Sequence, residues 1–216
     1  MHKLFMASAL AVSIPVVAQA DPIIVNPGFE LGNTGFTSGY TNQTNLVPPG
    51  TYFVDSGSAA HNPNWTQNVT AHTGNEFMIV NGDQTAGVTV YDQTGIAVLP
   101  NTLYFFSAWV TALTPLNEAD LQFSINGTPI NAPLLLSSSV GAWQELFVPW
   151  FSGSAITAEI TLLNENTSFT GNDFGLDDIG LSTISPVPEP LTLSIFGAGL
   201  AGLAGFATLR RRKKKA

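Results

Sequence analysis

The chain has 216 residues, and its charges are segregated along the sequence. All seven Lys and Arg residues lie at the two ends, whereas all fifteen Asp and Glu residues lie between Asp21 and Pro190, a stretch that therefore has a formal charge of −15. A polyanion of this kind has no basic patch to neutralise phosphates, which excludes nucleic acid as a partner. The absence of Cys excludes thiol catalysis and disulfide bonds, so the domain must depend on its hydrophobic core.

Residues 1–20 contain the three parts of a secretory signal peptide. Lys3 supplies the positive region, an apolar stretch follows it, and Ala18-Gln19-Ala20 ends the segment with small residues. A permanent N-terminal anchor is the alternative, but the apolar run is short for a bilayer and Pro15 interrupts it. We expect cleavage after Ala20.

Residues 21–184 are predicted to form one β-rich domain. Runs rich in Val, Ile, Phe, Tyr, Trp and Thr alternate with turn-forming residues, and no stretch has a sustained 3.6-residue period. The predicted strands are residues 23–25, 52–54, 77–80, 88–91, 103–110, 121–125, 143–150, 156–163 and 174–181. Because eight or nine short strands must bury one face each, they indicate an all-β domain of two packed sheets.

Three segments of this domain carry a resemblance to a known group. The sequence NPGFE opens the domain at residues 26–30, GVTVYDQTGIAVLPNTLYFFSAWV occupies residues 87–110, and DFGLDDIGL forms the last predicted strand at residues 173–181. In this order they resemble the galactose-binding-like jelly-roll domains, which include many carbohydrate-binding modules. The resemblance covers most of residues 23–183 and implies a jelly-roll β-sandwich.

The same resemblance implies a structural calcium ion that joins the first and last strands. Its ligands would be Glu30, Asp177 or Asp178, and the backbone carbonyl of Gly28. Calcium prefers six to eight hard oxygen ligands, and the domain has no Lys or Arg that could neutralise adjacent carboxylates.

The position of Asp177 in its strand bears on this expectation. Strict alternation predicts that Asp177 shares a face with Ile179 and Leu181, which have the character of core residues. A carboxylate on that face would need a ligand. The alternative is that Asp177 and Asp178 only end a strand.

Few residues are candidates for catalysis or ligand binding. No G-x-S-x-G motif is present, and His61 and His72 are predicted to lie in polar loops or turns, with His61 in contact with solvent. For glycan binding the best candidate is Trp65, because its polar neighbours predict an exposed loop on which a sugar ring could stack. We therefore expect the protein not to be an enzyme.

The C-terminal residues combine three features. Val187-Pro188-Glu189-Pro190 ends a linker at residues 185–190, an uncharged stretch spans residues 191–209, and six basic residues lie in the segment 210–216. Nineteen residues would form a helix of about 28 Å, which is long enough to cross a bilayer with its basic end on the cytoplasmic side. This combination resembles the PEP-CTERM sorting signal of Gram-negative bacteria, which implies processing by an exosortase. The alternative is a plain C-terminal anchor in which the Pro-Glu-Pro sequence is incidental.

Together these features predict an exported protein that is held in the inner membrane by its C-terminal helix. Its domain would lie in the periplasm and later at the cell surface or in the extracellular matrix. We expect a non-enzymatic protein associated with exopolysaccharide, with glycan binding as its activity. The alternative is a secreted polysaccharide hydrolase that uses a pair of carboxylates.

Overall fold

The computed structural model describes residues 24–183, and the strands of this part form two sheets. The strands are β1 (Thr41–Asn42), β2 (Thr51–Asp55), β3 (Phe77–Asn81), β4 (Thr89–Ala97), β5 (Leu103–Ala112), β6 (Asp120–Ile125), β7 (Thr128–Pro129), β8 (Leu134–Leu135), β9 (Gln144–Phe151), β10 (Thr157–Asn164) and β11 (Phe174–Ser182). The described residues are therefore all-β, as the sequence predicts.

The chain passes repeatedly from one sheet to the other. One sheet has six strands in the order β1-β2-β3-β11-β5-β9, and the second has the order β4-β10-β6-β7, with β8 also paired to β6. Every pair is antiparallel except β1 with β2. This arrangement confirms the predicted jelly-roll β-sandwich.

The main core lies between the two sheets. On β5, Tyr104, Phe106, Ala108 and Val110 alternate with more exposed residues and are buried. Phe106 faces Phe123 of the other sheet, with ring centroids 4.9 Å apart. The alternation gives each strand one apolar face, and burial of these faces against each other stabilises the sandwich.

A second hydrophobic cluster lies on the outer face of the six-stranded sheet. Phe77 and Ile79 of β3 belong to it, and they are covered by Leu46, Trp65 and Val69. Two of these covering residues come from the long connection between β2 and β3. Strand β3 is therefore buried on both faces, which explains why residues 77–80 are apolar without alternation.

Eight of the nine predicted strands are confirmed, and two differences have physical causes. Ile24 and Val25 are not in a strand; Val25 instead exchanges two hydrogen bonds with the side chain of Gln93. Strand β4 continues past the predicted end to Ala97, because a bulge with Gly95 at a φ of 72° absorbs an extra residue and restores the pairing with β10.

The predicted signal peptide, the motif at 187–190 and the apolar stretch 191–209 lie outside the described residues and stay predictions. Within residues 24–183, the structure contains no helix that is long and apolar enough to cross a membrane.

The contact between Phe106 and Phe123 gives the first testable prediction. Phe123→Ala should lower the free energy of unfolding by about 3–5 kcal/mol, because it leaves a cavity where the two sheets meet. Phe169→Ala is the matched control, since this phenylalanine is 68% exposed and its truncation should change stability by no more than about 0.5 kcal/mol. Urea denaturation measures both values, and equal losses would contradict the described core.

Candidate functional site

The carboxylates expected to bind calcium lie at a β-bulge in β11. The pairing of β11 with β5 shifts directly after Asp177, and Asp178 has a left-handed φ of 48°. The bulge breaks the alternation, so Asp177 lies opposite Trp109 on the outer face while Ile179 and Leu181 belong to the main core. The prediction that Asp177 shares a face with these two residues is wrong.

Asp177 is nevertheless fully buried, because the loop at residues 72–76 covers it. Its Oδ2 accepts hydrogen bonds from the backbone N–H groups of His72 at 2.9 Å and Thr73 at 3.3 Å, and its Oδ1 accepts one from Asp178 at 2.8 Å. Burial, and secondly the charge of Asp178, raise the pKa of Asp177 to about 6, while the three N–H groups oppose the rise.

Asp178 holds side chains of the same loop. Its Oδ2 lies 2.7 Å from Nδ1 of His72, and its Oδ1 accepts a hydrogen bond from the Thr73 hydroxyl at 2.8 Å. The His72 ring also stacks on Trp109, with centroids 3.8 Å apart and an interplanar angle of 14°. The imidazole is thus fixed by both a carboxylate and an aromatic ring.

Glu30 binds the other end of this loop. Its carboxylate accepts hydrogen bonds from the backbone N–H groups of Glu76 at 2.9 Å and Asn75 at 2.6 Å, and these bonds lower the pKa of Glu30. Gly74, directly before Asn75, has a φ of 66° and lies so close to Glu30 that a Cβ atom would overlap the carboxylate. Any other residue here would adopt a strained φ and displace the Glu30 carboxylate.

Gly28 brings the opening segment against the same group. A Cβ atom at Gly28 would lie 3.3 Å from Oδ1 of Asp178 and 3.6 Å from Oδ1 of Asp177. The structure thus collects four predicted site residues around one loop: Gly28, Glu30, Asp177 and Asp178. Carboxylate oxygens are the ligands that calcium prefers, but here they accept hydrogen bonds, and within residues 24–183 no three His, Asp or Glu side chains form a metal-binding group. Calcium binding stays a prediction.

Trp65 is buried, and the prediction that it is exposed is wrong. Its side chain is 5% exposed, and its indole Nε1 donates a hydrogen bond of 2.8 Å to Oδ2 of Asp173. The connection between β2 and β3 folds back over the outer face of the six-stranded sheet, because Phe77 and Ile79 offer apolar surface there. The polar residues next to Trp65 in the sequence give no indication that it packs against β3.

His61 is also buried rather than in contact with solvent. It is 7% exposed, and its ring nitrogens lie 2.8 Å from the carbonyl oxygen of Thr44 and 3.0 Å from Oδ2 of Asp55. Both ring nitrogens are thus engaged, which makes His61 a structural link between the connection and β2.

A cavity of about 230 Å³ opens beside Trp65 at one end of the sandwich. Its wall contains three asparagines (Asn62, Asn64 and Asn81), two threonines (Thr114 and Thr170), Phe169 and Asp173. Asn62 and Asn64 come from the connection between β2 and β3, and Asn81 is the last residue of β3. Thr114 follows β5, and the remaining side chains come from the connection before β11. Amides, hydroxyls, a carboxyl group and aromatic rings therefore surround one concave space.

Asp173 is the ionisable residue among those of this wall, and its pKa is shifted. It is 7% exposed, its Oδ2 is bound to Trp65, and its Oδ1 is buried without a hydrogen-bond partner among the described residues. Burial raises the pKa of Asp173 to about 6, against the opposing effects of the Trp65 indole and the backbone N–H of Gly82. A buried carboxyl group with a shifted pKa beside a cavity is a candidate functional group.

Asp173 and Phe169 are not among the residues that the sequence predicts for a site. Phe169 is an isolated aromatic residue among polar neighbours, and this is the pattern that predicts an exposed loop at Trp65. Asp173 stands directly before the apolar strand β11, and a carboxylate that enters a core in this way needs a donor. Neither signal gives the partner, since Trp65 lies 108 residues away in the sequence.

Comparison with known proteins shows similarity at the level of the fold. No family model and no curated protein match the chain. The xylan-binding CBM22-1 domain of Xyn10C from Paenibacillus barcinonensis is 20% identical, with a TM-score of 0.50 over 77% of this chain and 97% of that domain. TmCBM61, solved with β-1,4-galactotriose, is 15% identical, with a TM-score of 0.50 over 76% of this chain and 98% of that chain.

An enzyme has a similar structure as well. A cyclase from Fischerella sp. TAU is 16% identical, with a TM-score of 0.54 over 76% of this chain and 97% of the cyclase. Two of the three compared structures are carbohydrate-binding modules. At these identities the similarity shows the jelly-roll fold alone, so function must be argued from the site.

The raised pKa of Asp173 predicts how stability depends on pH. Because the folded state favours the protonated carboxyl group, this group stabilises the protein fully below about pH 4 and loses that effect as the pH rises through about 6. Asp173→Asn keeps an acceptor for the Trp65 indole but cannot ionise. The variant should therefore lose less stability between pH 4 and pH 7 than the wild type, by about 2 kcal/mol.

Urea denaturation at the two pH values measures this difference. General repulsion among the carboxylates lowers the stability of both proteins as the pH rises, so the difference between them isolates Asp173. Identical pH profiles would contradict the assigned environment.

Proposed function

We propose that this chain is a non-enzymatic glycan-binding protein and that the cavity beside Asp173 holds a sugar unit. The observation that carries the proposal is the composition of the cavity wall, which contains amides, hydroxyls and a buried carboxyl group together with the largely buried indole of Trp65 and the exposed ring of Phe169. A sugar presents hydroxyl groups that both donate and accept hydrogen bonds, together with apolar ring faces. Such ligands need this mixture of polar and aromatic contacts.

The size of the cavity suits a short ligand. Its volume of about 230 Å³ is below the roughly 300–1,000 Å³ that is typical of sites for drug-sized molecules. One sugar ring or the end of a chain is therefore the appropriate occupant. Phe169 stands at the rim with 68% of its surface exposed, where it can contact the next ring.

The charge of the domain favours an uncharged glycan over an acidic one. Residues 24–183 contain no Lys or Arg, and Asp173 itself lies in the cavity wall. A uronic acid or a sulfated sugar would bring a second negative charge to a site with no cation, which costs free energy.

Binding is better supported than hydrolysis. A glycosidase needs two carboxyl groups on opposite sides of the scissile bond, about 5–10 Å apart. Of the described residues in the cavity wall, Asp173 is the one with a carboxyl group. Glu30, Asp177 and Asp178 bind the loop at residues 72–76 instead.

The proposal includes the location of the protein. The segment from Val187 to Pro190 and the apolar stretch 191–209 support membrane tethering and exosortase processing, followed by release to the cell surface or the matrix. Association with exopolysaccharide would then bring the cavity to its ligand.

Binding can be tested with the purified full chain and a panel of neutral β-1,4-linked oligosaccharides, with uronic acid oligosaccharides as a comparison. We expect binding to a neutral member, measured by calorimetry, and an affinity at least about tenfold lower for Phe169→Ala. Ile156→Ala is the matched control, because this residue is equally exposed at 68% but lies at the other end of the sandwich. No binding to any neutral member, or equal affinities for Phe169→Ala and the wild type, would refute the proposal.

Calcium binding by Glu30, Asp177, Asp178 and the carbonyl of Gly28 has a separate test. If the ion binds only the folded state, a hundredfold excess over Kd stabilises it by about 2.7 kcal/mol, which raises Tm by about 5–10 °C. Millimolar calcium should therefore raise Tm above that in sodium at matched ionic strength, and Glu30→Gln should abolish the difference. Equal Tm values in the two buffers would show that only general charge screening operates.

A further inference from the structure

Four exposed apolar side chains lie together at the end of the sandwich opposite the cavity. They are Leu99, Leu103, Phe151 and Ile156, and we call them the apolar tip. Leu99 and Leu103 flank the turn between β4 and β5, while Phe151 and Ile156 flank the turn between β9 and β10. Leu103 pairs directly with Phe151, and the residue before Leu99 donates a backbone hydrogen bond to the carbonyl of Ile156.

Hydrogen bonds join the two turns to each other. The Ser152 hydroxyl donates a 2.7 Å hydrogen bond to the carbonyl of Leu99 and accepts one from the backbone N–H of Thr102. The backbone N–H of Ser152 binds the carbonyl of Thr102, and Asn101 binds that of Gly153. These hydrogen bonds hold the two turns against each other, and the four apolar side chains that the turns carry are exposed.

The apolar tip is also free of charge. Residues 98–108 and 146–158 contain no Asp, Glu, Lys or Arg, and the carboxylates that flank the second range are Glu145 and Glu159. The opposite end of the sandwich carries Asp83 after β3, Glu118 before β6, Glu165 after β10 and Asp173 before β11, and of these Asp173 is the one in the cavity wall. The domain is therefore polarised between an acidic end and an apolar, uncharged end.

The chain leaves the sandwich at the apolar end. Ser182, the last residue of β11, pairs with Phe105, which is two residues from Leu103. The apolar stretch that the sequence predicts to cross the membrane begins eight residues after Thr183, a distance of at most about 28 Å. If that stretch crosses the membrane, a tether of this length would keep the apolar end of the domain within reach of the bilayer.

We propose that the apolar tip contacts the lipid surface of the membrane in which residues 191–209 are anchored. This inference rests on the membrane tether in the proposed function and is independent of glycan binding. Apolar side chains gain free energy when they enter the interfacial region of a bilayer, and the absence of carboxylates avoids repulsion by anionic lipids. The orientation would point the cavity beside Asp173 away from the membrane.

The absence of Cys allows a clean test with single labels. The full chain carrying Ile156→Cys or Phe169→Cys is labelled with an environment-sensitive fluorophore and reconstituted in vesicles of phosphatidylethanolamine and phosphatidylglycerol. These two positions are equally exposed, at 68%, and lie at opposite ends. We expect a quencher on the lipid chains to quench the label at position 156 at least threefold more than the label at position 169. Equal quenching would overturn the inference.

A charge at the tip gives the second measurement. Phe151→Asp in the chain labelled at position 156 should reduce lipid quenching to the level at position 169, whereas Leu116→Asp at the cavity end should leave it unchanged. Energy transfer between labelled copies without lipid quenching would instead assign the tip to self-association and overturn the inference. If the chain does not float with the vesicles, both the membrane tether and the contact of the apolar tip with lipid are refuted. The calorimetric test of glycan binding does not depend on either result.

Discussion

No Lys or Arg side chain lies between residues 4 and 209, so no buried carboxylate of the described domain can pair with one, and the protein groups that bind these carboxylates are neutral donors or histidine. This constraint shapes the structure around β11. Asp177 accepts three backbone N–H groups, and Asp173 accepts the indole N–H of a tryptophan from a distant connection. A loop and a connection are therefore held in place by carboxylates that have no ion pair with Lys or Arg.

The resulting contacts link parts of the chain that are far apart. Glu30 from the opening segment and Asp177 and Asp178 from the last strand bind the same short loop before β3. The second hydrophobic cluster fastens the rest of that connection to the outer face of the sheet. Removing the Asp177 carboxylate would take away the acceptor of the backbone N–H groups of His72, Thr73 and Asp178, and the loop would lose this attachment to the last strand.

The sandwich could be predicted because alternation along β5 and β10 is a local signal that the two-sheet core requires. The orientation of Asp177 could not be predicted, because it depends on a bulge at which Asp178 has a positive φ. No sequence pattern indicates the extra residue in that bulge. The resemblance to jelly-roll domains predicts that Glu30 and Asp177 lie near each other. It does not predict that both bind the loop at residues 72–76. The burial of Trp65 depends on a sheet face formed by β3, which is a tertiary contact that overrides its polar neighbours.

The order of the strands in the six-stranded sheet differs from their order of synthesis. Strand β11 is the last strand of the described chain, yet it lies between β3 and β5 and pairs with both. Until Phe174–Ser182 has been made, β3 and β5 each lack one hydrogen-bonding neighbour, and Phe174 and Leu176 are missing from the core. Cooperative folding of the domain must therefore wait for its final residues, and a chain truncated before β11 would expose two unpaired strand edges.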